Sequence, residues 1–316
     1  DITQFNPDVL IFIDYPGFNM RIAQWAKQQH IPTHYYISPQ IWAWKENRIK
    51  AIKRDVDFMY VILPFEKDFY ERKHQYRVHF VGHPLLDAIA QRKEVDEQTF
   101  KKEINVANCL VKTILSLVVI RFKKENNLDV RPIIALLPGS RKQEIAKMLK
   151  IMLSIVDDFH QYQFVIAGAP SIDYHFYKRF IKEENVHFVS GKTYDLLSVS
   201  YAALVTSGTA TLETALLNVP EVVCYKGNWI SYHIAKRIIK LKYISLVNLI
   251  MDKPVVTELI QGDLTKKNLE AELNKLTTYR HRYEVFKDYV LLRERLGGEG
   301  ASEKTASLIL RQCQEN

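Results

Sequence analysis

The chain has 316 residues, 47% of them hydrophobic and 25% charged, which argues against global disorder and gives enough length for one large or two medium domains. A formal net charge of +8 points to anionic partners: nucleic acid, phosphorylated ligands or an acidic membrane surface. Three widely spaced cysteines, Cys109, Cys224 and Cys313, show neither metal-ligand spacing nor a disulfide framework, which suits a reducing compartment.

No basic and apolar leader opens the sequence, so no signal peptide is expected. "DVLIFID" (8–14) reads as a buried strand; the turn "YPGFN" and the helical "MRIAQWAKQQ" follow. Then come the strand "THYYI", the basic helix "KENRIKAIKR", the strand "FMYVIL", the helix "FEKDFYERK", the strand "YRVHFVG" and the helix "LLDAIAQ". Continuous apolar strands separated by helices imply a parallel sheet covered on both faces.

Between 91 and 103 a charged stretch breaks this rhythm, followed by "CLVKTILSLVVIRF" and "KKENNLDVRP". The apolar run is shorter than a bilayer span and is interrupted by Lys112, so no spanning helix is expected. Strand-like "IIALLP", "FVIAG", "VHFVS", "AALVT" and "EVVCY" resume the alternation; from about Pro254 the pattern is helical to "SEKTASLILRQCQ". The fold class is therefore α/β: two doubly wound units, 1–95 and 131–290, joined by a connection at 96–130 and closed by a helix at 291–316. No repeat of solenoid spacing and no low-complexity tail is present.

Ligands of doubly wound sheets sit beyond the carboxyl ends of the strands, so the strand-to-helix turns carry the chemistry. In "ALLPGSRKQEIAKMLKIMLSIVDDF", Ile145, Met148, Leu149, Met152, Leu153 and Val156 repeat as one helix face. Ser140 and Gln143 fit an S-x-x-Q capping box, which starts the helix near Arg141. Gly139 permits close backbone approach, free amides at a helix start favour an anion, and Arg141 adds a permanent forked charge suited to phosphate. A capped helix with a solvated arginine would read the same way.

In "AALVTSGTATLETALLNVPEVVCY" the strand ends at Thr206, and a helix runs from about Thr209 until Asn218 and Pro220 stop it. Ser207, Gly208 and Thr209 offer hydroxyls and amides to a second phosphate, and Glu213, a turn inside, could bond ribose hydroxyls. Asp14, at the end of "DVLIFID", could accept a proton from a substrate hydroxyl or cap its own turn. There is no G-x-x-x-x-G-K-[ST], no G-x-G-x-x-G after a strand, no Gly-x-Ser-x-Gly elbow and no Cys/His cluster. The D-x-D at Asp55 and Asp57 precedes its strand and reads as chance.

The stretches "DVLIFIDYPGFN", "YYISPQIWAWKENRIKAI", "LPFEKDFY", "VGHPLLDAI", "ALLPGSRKQEI", "TSGTATLE" and "YISLVNLI" together resemble the lipid-A-disaccharide synthase family, inverting glycosyltransferases of the two-Rossmann-domain, GT-B-like type. The resemblance implies an acceptor-side first domain and a UDP-sugar-binding second one. It also implies a reaction: UDP-2,3-diacylglucosamine and 2,3-diacylglucosamine 1-phosphate (lipid X) give lipid A disaccharide 1-phosphate and UDP.

On that resemblance Asp14 is the general base and Arg141 neutralises the leaving diphosphate, while Gly139, Ser140, Arg141, Ser207, Gly208, Thr209, Glu213 and Asn248 form the UDP site. No metal and no further cofactor is implied, since Arg141 and helix dipoles would carry the charge. His83 could touch substrate or be a structural histidine, and Trp42 and Trp44 could line an acyl groove or belong to the core. Two basic runs, Lys45, Arg48, Lys50, Lys53 and Arg54, then Lys236, Arg237, Lys240 and Lys242, could rest on anionic lipid. The implied location is cytoplasmic, peripheral on the inner face of a bacterial inner membrane, with no nucleic-acid partner and with a homo-oligomer left open.

Two departures from the family pattern stand out. Its first strand and Gly-rich loop have no counterpart here, so an incomplete amino-terminal domain and doubtful activity are expected; "INVANCLVKTILSLVVIRFKK" (104–124) reads as an insertion. Gly17 stands where some relatives carry a second acid, which leaves Asp14 as the base. The alternatives are another UDP-sugar enzyme of the same fold, of hexosamine-epimerase or peptidoglycan-lipid transferase type, or a non-catalytic remnant.

Overall fold

The computed structural model describes residues 1–92, 111–227 and 242–315, which form two compact units. The first comprises residues 1–91 and the chain from Arg293 on; the second comprises the described residues from 92 to 292.

In the first unit, β1 (Leu10–Ile13), β2 (Thr33–Tyr36), β3 (Phe58–Val61) and β4 (His79–Phe80) pair in parallel and in chain order. Phe12, Tyr35, Met59 and Val61 meet Ala23, Ile52 and Tyr70 in one core. Among the described residues β1 pairs only with β2, and its Ile11 and Ile13 are 49% and 58% exposed although the strand is wholly apolar. The expected strand "YRVHFVG" shrinks to two paired residues. The expected basic helix follows a left-handed Lys45 (φ 56°), opens as a 3-10 turn at Glu46–Arg48 and becomes α-helical only over Ile49–Asp55.

The carboxyl-terminal segment belongs to this unit. Asp87 accepts the Gly300 and Ser302 amides at 2.6 and 3.1 Å, so a carboxylate from elsewhere in the chain caps the helix Ala301–Glu315. His83 N–H donates to the Leu296 carbonyl at 3.1 Å, and a Cβ on Gly82, whose φ is +97°, would lie 3.2 Å from that same oxygen. Glycine is needed there on both counts.

In the second unit six parallel strands run in the order β10-β9-β8-β5-β6-β7. They are β5 (Ile133–Leu137), β6 (Gln163–Gly168), β7 (Val186–Ser190), β8 (Ala202–Thr206), β9 (Glu221–Tyr225) and β10 (Thr257–Ile260). Ile134 and Leu136 enter one core with Phe164, Leu204 and Leu149, while Ile133, Ala135 and Leu137 enter the other with Val165, Val205 and Leu196. Alternate residues are thus buried on opposite faces, which is why these strands read as unbroken apolar runs.

β10 corrects the expectation that everything after Pro254 is helical. "TELI" is an edge strand paired only with β9 among the described residues, so it needs little of the hydrophobic run that marks its neighbours. The proposed insertion is helical over Val111–Glu125 and contributes Phe122 to a core of the second unit; no helix among the described residues is long and apolar enough to cross a membrane. Cys224 is a buried free thiol and Cys313 an exposed one, while Cys109 lies outside the described residues.

At the start of β9 the fully buried Glu221 has no hydrogen-bond partner for either carboxylate oxygen among the described residues, and burial pushes its carboxyl well above the usual range. A carboxyl raised on folding holds its proton in the native state after the unfolded chain has lost it. Stability should therefore fall as pH climbs from about 4.5, by up to ~1.4 kcal/mol per pH unit, until the native carboxyl ionises. Urea unfolding of Glu221→Gln between pH 5 and 9 is expected to show a flatter profile than the parent; parallel profiles would contradict this assignment.

Candidate functional site

From β5 the chain winds outward through β6 and β7, then returns to place β8 on the opposite side of β5. That reversal makes a crevice beyond the carboxyl ends of β5 and β8, and the two sequence-marked turns leave from those strands.

The first turn is Gly139, Ser140 and Arg141. Gly139 has φ +105°, a left-handed conformation that suits glycine. Arg141 is the N-cap of the helix Lys142–Leu153, with extended backbone and no side-chain capping bond. The expected S-x-x-Q box is therefore not formed. The cap falls one residue later, so Glu144 and not Gln143 stands at the third helical position; its Oε2 reaches back to accept the Ser140 amide at 3.2 Å. The apolar face is as expected, with Ile145, Met148, Leu149, Met152 and Leu153 all buried.

The second turn is Ser207, Gly208 and Thr209, with Gly208 as N-cap of the helix Thr209–Leu216. Ser207 N–H donates to the Cys224 carbonyl at 3.1 Å, and Ser207 Oγ to the Ile244 carbonyl at 3.4 Å. Behind Ile244 stands a partly buried polar frame. Glu258 accepts the Ile244 and Ser245 amides at 3.0 and 2.9 Å, the Ser245 hydroxyl at 2.8 Å and Asn248 Nδ2 at 2.9 Å. Asn248 is buried with both ends of its amide in use, Nδ2 also donating to the Val256 carbonyl and Oδ1 accepting the Val256 amide. The structure thus places Asn248 behind the turn that meets Ser207.

Both turns open onto one cavity of about 350 Å³, lined by Gly139, Ser140, Arg141, Ser207, Gly208 and Thr209 with the end of β6 alongside. Two helix amino-termini and an exposed arginine converge there, a setting for anionic oxygens. Thr206, 5% exposed, lines the same cavity, and its hydroxyl has no partner among the described residues.

Glu213 lies one turn beyond Thr209 on the same helix face. Burial pushes its carboxyl above the usual range, and a hydrogen bond from Tyr194 pulls it partly back. The Arg92 guanidinium lies 5.6 Å from the centre of the Tyr194 ring and pairs with Asp195.

The first unit holds the other candidates. Asp14 and Tyr15 both have left-handed backbones, φ 47° and 46°. The Asp14 carbonyl receives Tyr35 OH and Asn19 Nδ2, each at 2.7 Å, and its amide donates to the Tyr36 carbonyl at 3.0 Å. Its residue is exposed, and no described residue hydrogen-bonds or ion-pairs with its carboxylate.

Trp42 is half-buried, edge-on to Phe65 at 4.8 Å, and donates to Glu66 at 3.2 Å. Trp44 is 51% exposed, with Lys45 Nζ 4.5 Å from its ring centre and Arg48 at 5.8 Å. His83 is buried, with Nδ1 accepting the Leu85 amide, and desolvation pushes its ring down to about 4. Asp57 accepts the Thr33 amide and hydroxyl and pairs with Lys27, whereas Asp55 takes Arg54. Of the second basic run only Lys242 lies within the described residues.

The lipid-A-disaccharide synthetase family matches residues 1–118 and 110–311. Lipid-A-disaccharide synthase of Syntrophus aciditrophicus is 37% identical over 314 residues, covering 96% of this chain and 75% of the relative. Its namesakes in Coxiella burnetii and Geobacter metallireducens are 35% and 34% identical, covering 96% and 98% of this chain and 75% and 76% of theirs. The chain belongs to the lipid-A-disaccharide synthase family. It is a glycosyltransferase of lipid A biosynthesis, hexosyl-transferring by type.

Solved structures agree on the fold. The UDP-GlcNAc 2-epimerase from Neisseria meningitidis bound to UDP-GlcNAc superposes with a TM-score of 0.64 at 15% identity, covering 98% of this chain and 78% of that one. The glycotransferase of kitacinnamycin gives 0.58 at 11% identity, covering 99% and 77%.

Three carboxylates that the motifs did not mark hold candidate residues in place, Glu66 in the first unit and Glu258 and Glu144 in the second. Glu66, buried, accepts the Ser38 hydroxyl, the Trp42 indole and the Ile62 and Leu63 amides, at 2.6 to 3.2 Å, and so ties "SPQIWAW" to "LPFE". Burial raises its carboxyl, and those four donors offset part of the rise. Glu258 frames the Ser207 turn, and Glu144 reaches back to the Ser140 amide beside the cavity. Glu144 and Glu66 each stand three places into a helix, which is a local signal; the Ser38 and Trp42 bonds of Glu66 and the frame around Glu258 are supplied by the folded chain.

Proposed function

We infer that the chain transfers a diacylated glucosamine from a UDP-linked donor to the 6-hydroxyl of a diacylglucosamine 1-phosphate and releases UDP. The observation that carries this reading is the crevice between β5 and β8, where Gly139–Arg141 and Ser207–Thr209 converge on one cavity beside the Thr206 hydroxyl, which has no partner among the described residues. The diphosphate takes the helix amino-termini, and Glu213 takes the ribose hydroxyls. Asp14 removes the acceptor proton as the oxygen attacks the anomeric carbon. Arg141 neutralises charge growing on the departing diphosphate, so this reading calls for no metal.

Trp44 with Lys45 and Arg48 supports a peripheral contact with anionic lipid on the cytoplasmic face of the inner membrane, since an aromatic ring flanked by cations suits a bilayer interface. The test is a transfer assay on the full-length protein with the UDP-linked diacylglucosamine donor and radiolabelled acceptor, separated by thin-layer chromatography. Labelled disaccharide and UDP in equal amounts are expected. Interconversion of UDP-hexosamines without transfer would favour the epimerase reading, and no reaction of either kind would sink both.

A further inference from the structure

The cavity at the switch point already contains a carboxylate. Glu144 Oε2 accepts the Ser140 amide, and it lies so close over Gly139 that a Cβ there would come within 2.2 Å of it. The seat that two helix starts prepare for an anion is therefore filled by a negative group of the protein itself.

Glu144 also borders a neighbouring cleft of about 390 Å³, lined by Lys142, Lys147 and Lys226. Arg141 and Thr206 border both spaces. A side chain with two rotatable bonds before its carboxyl can thus meet positive charge on either side. The bond to Ser140, at 3.2 Å, is long for a charged acceptor and holds the inward position weakly.

We propose that Glu144 tempers affinity for the diphosphate by acting as its place-holder: it holds the Ser140 amide while the seat is empty and turns into the lysine-lined cleft when a diphosphate arrives. This rests on the diphosphate reading of the same cavity. Two anions cannot share one amide at contact distance, so a diphosphate must displace Glu144, and that displacement subtracts from its affinity. A neutral nucleoside carries no group for the Ser140 amide and leaves Glu144 where it is. Occupation by a built-in carboxylate also keeps the Ser140 amide satisfied between turnovers.

Calorimetric titration of UDP and uridine into the parent, Glu144→Gln and Glu144→Ala tests the proposal, with thermal melts to confirm folding. Both variants should bind UDP about tenfold more tightly than the parent, with uridine binding unchanged. Lys147→Met should weaken UDP binding in the parent background and have little effect beside Glu144→Gln. Unchanged or weaker UDP binding by folded Glu144→Gln and Glu144→Ala would overturn the place-holder role. A folded parent that binds no UDP at all would instead overturn the diphosphate reading on which it stands.

Discussion

Asp14→Asn is expected to lower turnover by roughly 10²–10⁴-fold, the span that loss of a positioned general base produces, without lowering the melting temperature. The expectation of an intact fold comes from the backbone. Asp14 and Tyr15 both occupy the left-handed region, where most side chains cost about 1–2 kcal/mol, and asparagine tolerates it as aspartate does.

Clamps on the main chain hold this geometry: the Asp14 carbonyl receives the Tyr35 hydroxyl and the Asn19 amide, and neither bond involves the carboxylate. Asparagine therefore keeps the turn and removes only the proton acceptor. Asp14→Ala mixes loss of the base with a strained alanine and should also melt earlier. Steady-state rates at saturating donor and acceptor, with circular-dichroism melts, separate the two effects. Near-normal turnover in Asp14→Asn would end the base assignment.

Arg141→Ala is expected to reduce turnover by about 10²–10³-fold, the cost of removing one preorganised partner of a developing oxyanion. Arg141 caps its helix through backbone conformation alone, so truncating the side chain leaves the cap in place. The residue is exposed and lines the crevice wall, where a guanidinium can meet two phosphate oxygens at once. Arg141→Lys keeps the charge and loses the fork, and should recover only part of the rate. Charge on the diphosphate grows most in the transition state, so turnover should fall more than donor affinity. If Arg141→Ala loses affinity alone, the arginine serves binding and not departure of UDP.

Much of the candidate site was legible as local chemistry. Gly139 before an arginine and Ser-Gly-Thr after a strand are short-range patterns, and the helices they open run as read, with Ile145, Met148 and Leu149 buried on one face. The parallel sheets were legible too, because strands covered on both faces read as near-continuous apolar runs, as β5 does throughout and β8 does up to Thr206. The capping box failed by one residue: Glu144 and not Gln143 accepts the Ser140 amide, and a carboxylate accepts an amide more strongly than a neutral side-chain amide oxygen does.

Other contacts had no local signature. Ser38 and Trp42 join the local Ile62 and Leu63 amides on Glu66, Glu258 gathers donors from Ile244, Ser245 and Asn248, and Asp87 caps a helix more than two hundred positions downstream. β10 exists because β9 offers it an edge, and the chain from Arg293 joins the first unit through the Leu296 and Asp87 bonds. Residue order alone settled where backbone turns and helix starts fall, since those depend on neighbours within a few positions. Which distant groups meet there was decided by folding: Glu66 is reached by Ser38, and Asp87 by the Gly300 and Ser302 amides, across separations that no short stretch of sequence spans.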